Sequence, residues 1–206
     1  MIEEPGTCPS RPQAECESPR SSRLIFKNGP DKAKNLLVWR WNSGTVDKED
    51  IGDPTRTTKF ALCVYDSLSG SRFRILQLAV DGGRSWRHKT ADVLQYSAFR
   101  DTHEGVTGIL LKTSASGKGK IRFKAEGSRF PAPPPASKSK LLHKDSDVVV
   151  QLINSSTHQC WTSKFAKADT NSTEAFAALD RDSVIASRGA DDEPCMPEKS
   201  PGTLTR

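Results

Sequence analysis

Leu37, Trp39 and Trp41 stand at alternate positions of the segment Leu36-Leu37-Val38-Trp39-Arg40-Trp41-Asn42. A period of two sets all three on one face of a β-strand. Burying such aromatics together contributes several kcal/mol, enough to make this strand a core element. The same alternation recurs in Phe60-Ala61-Leu62-Cys63-Val64-Tyr65-Asp66, where Phe60, Leu62 and Val64 form an inward row and Ala61, Cys63 and Tyr65 face the other way. Further strand patterns occupy 23–27, 72–80, 105–112, 118–125, 148–153 and 159–165, with one or two around Trp86 and Tyr96. Polar turns separate them, among them Asn28-Gly29-Pro30-Asp31 and Asp81-Gly82-Gly83. Helical periodicity is nearly absent and no internal repeat is visible. Many short strands with polar turns predict an all-β fold, an antiparallel β-sandwich that is Ig-like or related.

The sandwich is expected over residues 21–166. Residues 1–20 form a disordered or disulfide-looped segment in this reading, and 167–206 a disordered acidic tail. Both ends are rich in Ser, Pro, Glu, Asp and Ala, a mix that buries too little to offset the entropy of ordering. Within the domain, the proline-rich stretch at about 130–146 cannot be a central strand, because proline donates nothing to the ladder. It reads as an extended connector.

The formal net charge of +6 is unevenly placed: residues 21–166 hold 24 cations against 13 carboxylates, between ends that are both net negative. Such a body favours polyanions as partners: nucleic acid, acidic polysaccharide or lipid headgroups. No apolar run approaches the ~18 residues of a membrane span. Glu3, Glu4 and Pro5 contradict a signal peptide, which as written predicts a cytoplasmic protein or a missing leader.

The cysteines point toward an oxidising compartment instead. Five are present, Cys8, Cys16, Cys63, Cys160 and Cys195, none in a Cys-x-x-Cys and none spaced with histidine as zinc ligands would be. In the oxidised reading Cys8 pairs with Cys16 in a small loop and Cys63 with Cys160 across the core. In the reduced reading Cys63 and Cys160 are small buried hydrophobes. Cys195 is left over.

Two features bear on binding. Lys118, Lys120, Arg122 and Lys124 alternate with Gly119, Ile121, Phe123 and Ala125, a cationic ladder on one strand face with a step of about 7 Å. It could track a polyanion, with Arg72 and Arg74 as further candidates, or mark an edge strand that uses lysine to discourage association. Asp47, Glu49, Asp50 and Asp53 suggest calcium, but Ile51 occupies the fifth place of an EF-type loop and the template fails. No Gly-x-Ser-x-Gly, phosphate loop or His-Glu-x-x-His is present. No catalytic residue, metal site or cofactor is therefore expected. Asn154-Ser155-Ser156 and Asn171-Ser172-Thr173 match the glycosylation pattern by its letters alone.

Taken in order over roughly 16–176, several segments resemble a family of small, secreted-type proteins of deltaproteobacteria such as myxobacteria. They are Leu36–Trp41, Gly52-Asp53-Pro54-Thr55 leading into Ala61–Asp66, Gly108–Lys124 with the proline-rich connector, Val150-Gln151-Leu152, Asn154, and Cys160-Trp161. The resemblance implies an extracytoplasmic β-rich domain and no activity. Two departures stand out: Gly82-Gly83-Arg84-Ser85 lacks the cysteine the family often carries before the tryptophan equivalent to Trp86, and the usual leader is missing. The expected function is a non-enzymatic extracytoplasmic binding or structural module, with a surface or matrix component or an acidic polymer as partner. The alternative is polyanion binding through the basic strand face.

Overall fold

The computed structural model describes residues 7–98, 103–143 and 147–181. Its strands are β1 (Ser21–Lys27), β2 (Leu36–Val46), β3 (Phe60–Leu68), β4 (Ser71–Val80), β5 (Trp86–Thr90), β6 (Val93–Ser97), β7 (Val106–Lys112), β8 (Ser114–Glu126), β9 (Val148–Asn154), β10 (Cys160–Phe165), β11 (Thr170–Asn171) and β12 (Ala175–Arg181). One turn of helix, α1 (Lys48–Ile51), follows β2. All strand pairs are antiparallel, in two sheets: eight strands ordered β11-β12-β1-β2-β8-β7-β6-β5, and four ordered β10-β9-β3-β4. This is the expected antiparallel sandwich. Its division into eight and four strands departs from the Ig pattern of seven to nine.

The alternation predicted for β2 and β3 explains how the sheets meet. Leu37, Trp39 and Trp41 from the large sheet and Phe60, Leu62 and Val64 from the small one lie in one core cluster, all fully buried. Three indole N–H groups bind the sheets together as well. Trp39 Nε1 donates to Ser163 Oγ at 2.9 Å, Trp41 Nε1 to the Thr162 carbonyl at 3.0 Å, and Trp161 Nε1 to the Thr45 carbonyl at 3.2 Å. Each is a donor that would otherwise be buried without a partner.

Three expectations are corrected. First, the segment after 166 is not simply a tail: β12 pairs with β1 along its whole length, and its Phe176 and Ala178 are fully buried. Phe176 and Ala178 alternate with Ala177 and Leu179, a short strand pattern inside a polar stretch and easily lost in its composition. Residues 182–206, with Cys195, lie outside the described residues, as do 1–6.

Second, the proline-rich stretch is not a loose connector. Phe130, Leu141 and Leu142 are buried, the Phe130 ring lies 5.5 Å from that of Phe26, and Asn171 Oδ1 accepts from the N–H groups of Leu141 and Leu142. The segment covers core that the four-stranded sheet is too narrow to reach.

Third, the disulfides are Cys8–Cys63 and Cys16–Cys160, not Cys8–Cys16 and Cys63–Cys160. Cys63 on β3 and Cys160 on β10 both face outward from the small sheet, but β9 lies between their strands. Two strand spacings separate them by about 10 Å, too far for a bridge. Each instead anchors the N-terminal segment, which runs across this face as a strap.

Other bonds fasten the strap. Gln13 N–H donates to Gln151 Oε1 at 2.9 Å and Gln151 Nε2 back to the Gln13 carbonyl at 2.8 Å. Tyr65 Oη donates to the Pro9 carbonyl, and Glu17 pairs with β10 through Glu17 N–H to the Cys160 carbonyl and Thr162 N–H to the Glu17 carbonyl. One face of the small sheet is thus core and the other is covered by the strap.

Candidate functional site

The outer face of the large sheet has no such cover among the described residues. Strand alternation decides what stands on it. Because Leu24, Phe26, Trp39, Trp41, Ile121 and Phe123 point into the core, Arg23, Arg40 and Arg122 must point out, and all three are exposed. Register then makes them neighbours: Arg23 lies opposite Arg40, and Arg40 opposite Arg122. Three guanidinium side chains therefore stand in line across β1, β2 and β8, one strand spacing of about 4.8 Å apart.

The ladder along β8 crosses this row at Arg122. Lys118, Lys120 and Arg122 are exposed, and Lys120 lies opposite Lys112 of β7, another cation. Lys124 leaves the group: its Nζ is 2.5 Å from Glu126 Oε1 on the same strand. Among the described residues none of Arg23, Arg40, Arg122, Lys112, Lys118 or Lys120 has a carboxylate oxygen within 4.0 Å. Like charges directly opposite one another destabilise a sheet. Because these side chains are exposed, that repulsion is screened by salt and is felt most at low ionic strength. Along the arginine row the fold carries that repulsion with no neutralising carboxylate among the described residues.

No family model, no curated protein and no solved structure matches the chain. The reading of the site therefore rests on its geometry.

The other candidates fall elsewhere. β8 is an interior strand between β2 and β7, so the edge-strand reading of the ladder does not hold. Arg72 and Arg74 belong to β4 of the small sheet and do not join the ladder; the β3–β4 hairpin that carries them pairs only within that sheet. Arg72 is engaged by Asp147, which also accepts from Ser67 Oγ at 2.8 Å, and Arg74 donates to the Cys8 carbonyl of the strap. The four cysteines are structural, holding the strap. Arg23 and Arg40 were missed as site residues by sequence reasoning. Their outward positions are legible from the flanking apolar alternation, but their adjacency depends on which strands pair.

The acidic loop serves local structure. Asp53 Oδ1 accepts from the N–H and hydroxyl of Thr55, and its carbonyl accepts from the N–H groups of Arg56, Thr57 and Thr58. Asp50 has its pKa raised, first by burial and then by the nearby charge of Asp47. Among the described residues no three His, Cys, Asp or Glu side chains are grouped to hold a metal ion. Both sequon asparagines have structural partners. Asn154 is fully buried and donates to the carbonyls of Asp50 and Ile51, at 2.6 and 2.9 Å, while Asn171 braces Leu141 and Leu142.

Proposed function

We propose that the protein is a non-enzymatic, extracytoplasmic β-sandwich module that holds a linear polyanion on the outer face of its eight-stranded sheet. The observation that carries this reading is the line Arg23–Arg40–Arg122, set side by side by register and left without carboxylate partners among the described residues. Bound anions would relieve the repulsion that the fold otherwise bears, and arginine forks suit carboxylate, sulfate and phosphate groups.

The extracytoplasmic setting is supported by the two disulfides, which persist in oxidising compartments. No helix among the described residues is long and apolar enough to cross a membrane. The resemblance to secreted-type proteins of deltaproteobacteria agrees with that setting and with an acidic surface or matrix polymer as partner.

The test is retention on immobilised heparin in a salt gradient. Arg40→Ser/Arg122→Ser should elute at clearly lower salt than the unmodified protein. Lys164→Ser/Lys167→Ser, which removes the same charge from exposed positions off this face, should elute close to it. Equal shifts in the two variants would show that only net charge matters, and absence of retention would sink the reading.

A further inference from the structure

Resting on that reading, we infer that the polyanion is an acidic polysaccharide and that it lies across the strands, along the arginine row, rather than along β8. Three observations bear on the chemistry. Among the described residues no aromatic ring stands on this face: the rings of Phe26, Trp39, Trp41 and Phe123 all point inward and are fully buried. A single-stranded nucleic acid would find no platform for its bases. The disulfides agree with the extracytoplasmic setting proposed above, away from intracellular nucleic acid.

Beside the arginine row, half-buried Ile25 of β1 lies one step along the strand from Arg23, about 7 Å away, while its partner Val38 on β2 is buried beneath the neighbouring side chains. A chain that carries carboxylate or sulfate groups along one side and C–H faces on its sugar rings matches an arginine row with an aliphatic edge at Ile25.

Direction follows from spacing and charge. Crosswise, the backbone positions of three arginines without carboxylate partners among the described residues fall within two strand spacings, about 10 Å. Lengthwise, the ladder steps by about 7 Å and loses Lys124 to Glu126 at its end. Crosswise the groups are also all arginine, able to hold each anion through two hydrogen bonds, whereas Lys118 and Lys120 act as single point charges. The same row continues through Leu110 and Gln95 to Arg87 on the edge strand β5, so the path has a cation at its far side.

The experiment measures fluorescence anisotropy at fixed salt with two labelled probes of equal formal charge, a size-defined heparin oligosaccharide and oligo-dT. The oligosaccharide should bind more tightly. Arg23→Ser/Arg40→Ser should weaken it by more than about tenfold, the loss of at least one charge-assisted hydrogen bond. Lys118→Ser/Lys120→Ser, which removes equal charge from the same face, should weaken it less than about threefold.

Arg23→Lys/Arg40→Lys keeps the charge, removes the forks and should still lose affinity; thermal melting of each variant confirms that it is folded. Equal or tighter binding of oligo-dT would overturn the polysaccharide assignment while leaving the polyanion reading standing. Equal losses in the two serine pairs would overturn the crosswise path. Binding of neither probe would remove the polyanion reading itself.

Discussion

Trp39, Trp41, Trp86 and Trp161 are nearly or fully buried, and each indole N–H has found an oxygen: Ser163 Oγ and the carbonyls of Thr162, Asp81 and Thr45 respectively. Position and partner are therefore linked, and a ring of similar size without the N–H will not substitute freely. Trp39→Phe should cost about 2–4 kcal/mol, the sum of lost buried area and an unpaired Ser163 hydroxyl. The midpoint of urea unfolding reads this directly. At the irregular end of the β2–β8 pairing, Gly44 leaves room that no side chain could share: a Cβ there would sit 2.2 Å from Trp41 Cη2 and 2.9 Å from the Ser18 carbonyl oxygen. Gly44→Ala should destabilise by more than about 2 kcal/mol, as overpacking in a closed core does. At Asp50 the sign reverses. Its folded pKa lies above the ordinary 3.8 because burial, and then Asp47, disfavour the charge. Its contribution to stability is fully present below 3.8 and is lost as pH rises through the raised value. Asp50→Asn should therefore raise the melting temperature at pH 7 and leave it nearly unchanged at pH 3; the opposite ordering would reject the burial argument.

Among the elements, the strap and β12 govern how firmly the sandwich closes. The two bridges span 55 and 144 residues, separations for which the chain-entropy model assigns about 4–5 kcal/mol each. Cys16→Ser should lower the urea midpoint strongly. Peptide mapping under non-reducing conditions should find Cys8 linked to Cys63 and Cys16 to Cys160. Truncation before Thr170 should also destabilise, because it uncovers Leu24 and Phe26 where Ala178 and Phe176 now pair with them. Much at this scale was legible in sequence: β2, β3 and the β3–β4 hairpin announce themselves by strict alternation, and the buried rows are those the alternation names. What was not legible is long-range pairing. That β9 lies between β3 and β10 decides the disulfide connectivity, and that β12 returns to β1 decides the domain boundary. Neither arrangement leaves a local mark. The proposed polyanion face shares that fate: Arg122 belonged to a visible ladder, while Arg23 and Arg40 joined it only through register.

Across the whole molecule the two sheets divide their labour. The small sheet has its outer face stapled under the strap, with Cys8, Cys63, Tyr65 and Cys160 in a second apolar cluster. On the large sheet the outer face is a lattice of cations, unneutralised along the arginine row. Unlike charges would normally interleave on a face kept only for solubility; among the described residues Glu126, paired with Lys124, does so only at the end of the β8 ladder, and the bare arginine row is what the proposed polyanion partner would neutralise. The most direct measurement is the dependence of heparin affinity on salt. A plot of log K against log salt should fall with a slope of magnitude about 3 or more, one counterion for each phosphate-like contact, and the slope should drop by about 2 in Arg40→Ser/Arg122→Ser. A flat plot, or the same slope in that variant, would contradict the account.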